Sequence, residues 1–146
     1  MNHEATKVFL ELTQKLGKNS RLELRQGVVF LVLQKTGQVD TAYGRGICFT
    51  LSQYYFIKNE ASCDPKMTFI LVDARNFLRW SLSNVCIFAG SLRRDPFKEA
   101  VSIPIEENGK LGSIDRYLQD IHSHIANEWL KRVSALGFLS VRPELS

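Results

Sequence analysis

The residues from Ser113 to Gly137 constrain the fold most, because they have the pattern of one long amphipathic helix. Ser113 is a good N-cap, and Gly137 stands where helix-terminating glycines are found. Between them the apolar side chains recur at helical spacing in one stripe: Ile114, Leu118, Ile121, Ile125, Trp129, Val133 and Leu136. The stripe is about 36 Å long at 1.5 Å per residue. An apolar face of that length has to be covered by another layer of the protein.

Strand-like segments fill most of the chain before this helix. Residues 3–16 form a shorter amphipathic helix that Gly17 ends, and Asp73 is placed to cap a short helix over 74–83. The remaining segments alternate polar and apolar residues or are rich in β-branched and aromatic residues, which favours strands. These segments are 21–25, 28–33, 39–51, 67–72, 85–90 and 100–105.

The pattern therefore predicts an α+β fold, with a twisted antiparallel sheet of about five or six strands. An N-terminal helix and a long C-terminal helix pack the sheet, and a short helix lies near 74–83. The sequence Lys35-Thr36-Gly37-Gln38 is predicted to be a turn. Residues 52–63 fit either a helix capped by Ser52 or an aromatic strand. Residues 1–137 are expected to form a single domain, and 138–146 a C-terminal tail.

Length and composition suit one cytoplasmic domain without a membrane segment. A chain of 146 residues with 45% apolar content can bury roughly two thirds of its unfolded surface. The longest apolar run, Val28 to Leu33, is six residues long, whereas a bilayer-spanning helix needs about 20. The N-terminus has an acid where a secretory signal has cations. Three widely spaced cysteines indicate reduced thiols, with neither a disulfide framework nor a zinc knuckle.

Common catalytic motifs are missing from the sequence. It has no Gly-x-Ser-x-Gly elbow and no Gly-x-x-x-x-Gly-Lys loop, and Gly44-Arg45-Gly46 lacks the third glycine of a dinucleotide site. His122 and His124 point about 200° apart on the predicted helix, so they cannot hold one metal ion. Either histidine is expected to be solvated on the polar flank. We therefore predict no catalytic residue, no metal site and no cofactor.

One short segment nevertheless resembles an enzyme family. Asp64 precedes a buried strand that ends in Asp73-Ala74-Arg75, and this spacing resembles the Asp and Asp-x-Lys motif of restriction-endonuclease-like nucleases over about a dozen residues. The resemblance implies two carboxylates on a divalent cation and a lysine that positions or activates water. Arg75 stands where the family has lysine, and a guanidinium cannot act as the base. A metal-dependent nuclease is therefore the third function considered.

Cations and aromatic rings concentrate in the middle of the chain. Residues 21–98 carry eleven Lys or Arg against six Asp or Glu, and eleven of the fifteen aromatic residues. Cations interleaved with rings on strands are typical of surfaces that bind single-stranded nucleic acid. Four rings in apolar runs are expected in the core instead: Phe30, Phe49, Phe69 and Phe88. The candidate binding residues are Tyr54, Tyr55, Arg75, Arg79, Trp80, Arg93 and Arg94.

The order of the predicted elements favours a protein partner over nucleic acid. A helix, about three strands, a short helix, two strands and a long helix follow one another in an order similar to that of small bacterial type III secretion chaperones. The resemblance implies an extended client segment wrapped around the outside, although those chaperones are acidic and this chain has a net charge of +4. Immunity-like and inhibitor-like roles fit equally. We expect a non-enzymatic protein that binds a partner through its sheet face or strand edge, and a homodimer stays open.

Overall fold

The computed structural model describes residues 1–75, 84–95 and 98–143, and it confirms the α+β fold. The helices and strands are α1 (His3–Leu16), β1 (Arg21–Gln26), β2 (Val29–Thr41), β3 (Gly44–Ile57), β4 (Glu60–Asp73), β5 (Val85–Arg93), β6 (Ala100–Val101) and α2 (Arg116–Ala135). The six strands form one antiparallel sheet in the order β1-β2-β3-β4-β5-β6. Most of the short helix predicted near 74–83 lies outside the described residues.

Both helices pack against the same face of the sheet and form the main core with it. Phe9 of α1 stands against two sheet rings, with centroid distances of 5.6 Å to Phe49 and 4.9 Å to Phe69. Trp129 of α2 is buried in the same cluster. Beyond α2, a 3-10 helix (Phe138–Ser140) also places the Phe138 ring in this core. We call this side of the sheet the helix-covered face.

The long C-terminal helix is present, but it starts later and is rotated relative to the prediction. Asp115, not Ser113, is the N-cap, since its side chain accepts a hydrogen bond from the Leu118 backbone N–H. The buried positions are His122, Ala126, Trp129, Leu130 and Val133. The predicted stripe is therefore wrong in part, because Ile114, Ile121 and Leu136 are exposed. Among the described residues, no helix is both long enough and apolar enough to cross a membrane.

The turn predicted at Lys35-Thr36-Gly37-Gln38 is wrong, because β2 runs through these residues. The pairing with β3 shifts between Lys35 and Gly37, which is where a β-bulge takes up one extra residue. β1 pairs only with residues 29–34 of β2, so the next part of β2 is bordered by β3 but has no β1 residue on its other side, and it is largely exposed. Exposure on an unpaired edge explains why the segment is polar like a turn.

Residues 52–63, which the sequence left open between helix and strand, belong to the hairpin of β3 and β4. Ile57 pairs with Glu60, and the two residues between them, Lys58 and Asn59, have φ values of 53° and 64°. Left-handed conformations at both positions are typical of the type I′ turn that suits the twist of a hairpin. Aromatic residues therefore line a strand here, with successive side chains on opposite faces of the sheet.

The other face of the sheet is covered over part of its area by residues 102–112, which we call the strap. Ile103 N–H donates to the Gly90 carbonyl of β5 at 3.0 Å, and Asp40 N–H of β2 donates to the Gly109 carbonyl at 3.0 Å. The strap thus crosses the sheet from β5 to β2. Beneath it a second, smaller cluster forms from Val39, Cys48, Ile70, Val72 and Ile103, with Phe88 and Leu111 packed against it.

Candidate binding surface

A shallow groove of about 250 Å³ lies on the part of this face that the strap leaves uncovered. We call it the open groove. β1 contributes Arg21 and Glu23, β2 contributes Phe30 and Val32, β3 contributes Ser52, Tyr54 and Phe56, and β4 contributes Ala61 and Lys66. The strand register brings these residues together, since Phe30 pairs with Tyr54, Val32 with Ser52, and Ser52 with Lys66. The groove therefore draws on four neighbouring strands.

Aromatic rings dominate one end of the open groove. Phe30 and Phe56 meet edge to face, with their centroids 5.1 Å apart. The guanidinium of Arg25 lies over the Phe30 ring, 5.1 Å from its centroid, a cation–π geometry. Phe30 was expected in the core together with Phe88, but both rings are only half buried and both lie on the face away from the helices. The core prediction is therefore wrong for Phe30, whereas Phe88 packs against the smaller cluster under the strap, and Phe49 and Phe69 are buried as predicted.

Positive charge predominates around the rings. Arg21, Arg25 and Lys66 stand on this side of the sheet, and Glu23, the carboxylate among the groove's described lining residues, lies 3.5 Å from Arg21. In the part of the chain that the structure describes, Arg25 and Lys66 take part in no ion pair. Their charges are therefore available to a ligand that carries acidic groups.

The two candidate tyrosines lie on opposite faces of β3. Tyr54 lines the open groove. Tyr55 belongs to the helix-covered side, where its hydroxyl hydrogen-bonds the side-chain amide of Gln53. The Gln53 carbonyl oxygen in turn accepts from Trp129 Nε1 at 2.9 Å. This buried network ties α2 to the sheet, so Tyr55 has a structural partner and does not share a surface with Tyr54.

Arg75 lies at the far end of β4, away from the open groove. Its guanidinium makes two-pronged contact with Asp73, with Arg75 Nη2 2.7 Å from Oδ2 and Arg75 Nε 3.0 Å from Oδ1. The hydrogen bonds from Arg75 lower the pKa of Asp73 and outweigh the opposing effect of its partial burial. Arg79 and Trp80 lie outside the described residues. The structure therefore does not bring Arg75 to Tyr54.

Arg93 is the last residue of β5 and Arg94 follows it, and both are paired with carboxylates. Arg93 Nη2 lies 3.1 Å from Asp95 Oδ1, and Arg94 Nε lies 2.9 Å from Asp64 Oδ1. Asp95 also accepts a hydrogen bond from the Cys63 backbone N–H at 2.9 Å. This hydrogen bond lowers the pKa of Asp95 most, and the hydrogen bond from Arg93 lowers it further. Arg93 pairs in register with Lys66, so it borders the open groove.

The carboxylates of the nuclease-like segment are too far apart to share a cation. Asp64 and Asp73 both belong to β4, and nine residues of extended strand span about 30 Å. Each carboxylate is bound to a different arginine. Among the described residues, no group of three or more His, Cys, Asp and Glu side chains is arranged to hold a metal ion.

Arg25 beside the open groove, and Phe30 and Lys66 within it, are not among the seven candidate binding residues predicted from the sequence. The signal for the first two was present, because Gly27 and Val28 form a short turn that sets Arg25 opposite Phe30. Leu22 and Leu24 are buried, so the alternation of β1 places Arg25 on the other face. Lys66 could not be found this way, since a register shift between Ser52 and Tyr54 sets its place beside β3.

No protein-family model matches the sequence, and comparison with curated proteins and with solved structures also finds no match.

Proposed function

We propose that this is a non-enzymatic binding protein whose open groove binds a different protein. The partner would place apolar side chains at the centre of the contact and acidic side chains around them. The observation that carries the proposal is apolar exposure at one end of the groove. Phe56 is 47% exposed and Val28 64%. Exposed apolar residues that cluster are typical of protein interaction sites, whereas scattered ones are not.

The strand register supports the view that these residues form one patch. Val29 pairs with Tyr55, so the preceding residue, Val28, lies across from Phe56. The β1–β2 turn and the β3–β4 turn are at the same end of the sheet, because alternate turns of an antiparallel meander share an end. The patch thus continues from the open groove onto two neighbouring turns.

The charge distribution supports a partner with an acidic rim. Arg25 and Lys66 flank the aromatic end of the groove without ion-pair partners among the described residues. An apolar centre with a charged rim is the usual anatomy of a protein interface, and complementary charge mainly sets specificity and the association rate. Chaperone-like, immunity-like and inhibitor-like proteins can all use such a surface.

Single-stranded nucleic acid is the second candidate, because Tyr54 lines the open groove with Arg21 and Lys66. A stacking platform needs open ring faces and unpaired cations. One face of Phe30 is occupied by Arg25, and the candidate cations Arg75, Arg93 and Arg94 are bound to carboxylates. These contacts favour the protein partner.

The cytoplasm is the proposed compartment, since all three cysteines are free thiols.

The test is site-specific photo-crosslinking in the native cells. A photoreactive residue at Phe56 should give a discrete heterologous product, whereas one at Tyr117, a 79% exposed ring on α2, should not. The double variant Arg25→Glu, Lys66→Glu should abolish the product. Equal labelling from both positions, or a product containing a second copy of this chain, would contradict the proposal. Binding of oligothymidine at about 50 mM salt that falls steeply as salt rises would support the nucleic-acid alternative.

A further inference from the structure

A second space, of about 490 Å³, lies on the same sheet face under the other end of the strap. Ile70 and Phe88 form its floor on β4 and β5, Ile103 and Leu111 of the strap form one wall, and Tyr43 stands at its mouth in the β2–β3 turn. We call it the strap cavity. It shares no lining residue with the open groove among the described residues, so it is independent of the proposed docking surface.

We propose that the strap cavity binds an uncharged aromatic small molecule with a polar edge that both donates and accepts hydrogen bonds. The volume lies within the range of sites that enclose small organic ligands, which are mostly apolar with a few converging polar groups. The cavity has both properties. Its floor and strap wall are apolar, and its polar groups come from the first two turns of α2.

The ring pair at the mouth favours an aromatic ligand. Tyr43 and Phe88 are stacked, with their centroids 5.7 Å apart and their planes 24° from parallel. Tyr43 remains 67% exposed, so part of its surface is available beside the opening. Flat aromatic surface that borders an apolar cavity offers an aromatic ligand offset stacking in addition to burial.

The polar side of the cavity favours a ligand without net charge. Arg116, Gln119 and Asp120 of α2 line it, and neither Arg116 nor Asp120 takes part in an ion pair within the described residues. The guanidinium donates hydrogen bonds, the carboxylate accepts them, and the amide does both. Their opposite charges give this side of the cavity no net charge. A bound anion would be repelled by Asp120, and a bound cation would be repelled by Arg116.

Glycine at position 46 helps to define the shape of the floor. A Cβ atom at Gly46 would lie 2.7 Å from Cγ2 of Ile70, closer than non-bonded carbon atoms approach. Ile70 can therefore settle against the β3 backbone. The Ile70 side chain thus packs close to the plane of the sheet, which leaves room for a ligand between it and the strap.

The test is titration of the full chain with 2-naphthol, an uncharged bicyclic ring with one hydroxyl, followed by ligand-observed NMR. Saturable binding is expected, and 2-naphthoate and a naphthylmethylammonium ion should each bind about tenfold or more weakly. Ala42→Trp, which puts a large ring at the cavity mouth, should weaken 2-naphthol binding by about tenfold or more. The matched control Ala61→Trp, in the open groove, should leave it unchanged.

Tyr43→Ala gives a second variant that removes ring surface without adding bulk, and it should also weaken binding by about tenfold. Absence of saturable binding to the wild-type chain would overturn the proposal. So would equal affinity for 2-naphthoate, or an affinity that neither Ala42→Trp nor Tyr43→Ala changes. The two proposals fail separately, because Ala42→Trp should leave photo-crosslinking from Phe56 intact and Ala61→Trp should disrupt it.

Discussion

At the scale of single residues, local ion pairs decide which cations remain available to a partner. Arg75 binds Asp73 and Arg93 binds Asp95, and in each case the partners are two positions apart in the sequence. Pairs of that spacing can be read from the sequence once the strand ends are known. Lys66 has no ion-pair partner among the described residues, because the residues paired with it in the sheet are Ser52 and Arg93, and neither is acidic.

His122 shows how a helix residue that looks solvated can be buried. It was expected on the polar flank of α2, but only 1% of it is exposed, so that expectation is wrong. Ser102 Oγ lies 2.8 Å from His122 Nδ1 and 3.3 Å from the Ala89 carbonyl oxygen. The hydroxyl has one proton, so when it donates to the Ala89 carbonyl oxygen, the bond between Ser102 and His122 needs a proton on Nδ1. The buried ring is thus tied to the strap by a hydrogen bond.

We expect the free energy of unfolding to fall as the pH is lowered through this histidine's titration. Burial lowers the pKa of His122, and the charge of Asp115 offsets this only partly. A folded-state pKa below the unfolded value of about 6.5 gives stability that is complete above that pH and lost below it. Urea unfolding at about pH 7.5 and about pH 5.5 measures the difference.

His122→Gln should remove most of this pH dependence, and His124→Gln, at an exposed position of the same helix, should keep it. If His122→Gln retained the full loss of stability at the lower pH, the assignment to His122 would be wrong.

At the scale of helices and strands, periodicity predicted which elements exist, but long-range contacts set their ends and phases. Both terminal helices and the β1–β2 hairpin follow from patterns within single segments. The start of α2 does not, because the Asp115 backbone N–H donates to the Ser102 carbonyl at 2.9 Å. That contact ties the chain to the strap, so regular helix begins only after it. Sequence spacing alone cannot show such a contact.

The open groove could be predicted only in part for the same kind of reason. Tyr54 was identified from the aromatic run, and the structure places it in the groove. Tyr55 is its neighbour in sequence but reaches the other face, which alternation along a strand dictates. The open choice between helix and strand for residues 52–63 prevented that inference. Arg94 and Asp64 are 30 residues apart, and no local pattern could have predicted their pairing.

The N-cap of α2 can be tested with two matched alanine substitutions. Asp115→Ala removes the acceptor for the Leu118 N–H, which is 3.0 Å away, and should lower the free energy of unfolding by about 1 kcal/mol. Ser113→Ala changes an exposed residue outside the helix and should change stability by less than about 0.5 kcal/mol. Chemical denaturation of both variants checks the prediction. A larger effect at Ser113 than at Asp115 would instead support the cap expected from the sequence.

At the scale of the whole molecule, the sheet is covered unequally on its two faces. The helix-covered face supports the main core, with Phe69, Leu51 and Trp129 almost wholly buried. Among the described residues the strap covers the opposite face, with Ile103 as its buried apolar side chain and Leu111 partly buried. Regions with few buried apolar contacts open more readily than the main core. The strap is thus the layer expected to open first.

Cys48 and Cys63 allow the opening of the strap to be measured separately from unfolding of the sheet. Cys48 belongs to the cluster under the strap, and burial raises its pKa, so it holds little reactive thiolate. Cys63 lies outside that cluster, and its backbone N–H donates a hydrogen bond to the Asp95 carboxylate. It therefore serves as the control for opening of the sheet. In a Cys86→Ser background, Ile103→Ala should raise the labelling rate of Cys48 by about tenfold or more while leaving that of Cys63 nearly unchanged. If both rates rose together, the strap and the sheet would open as one unit, and a small molecule could reach the strap cavity only through its mouth at Tyr43.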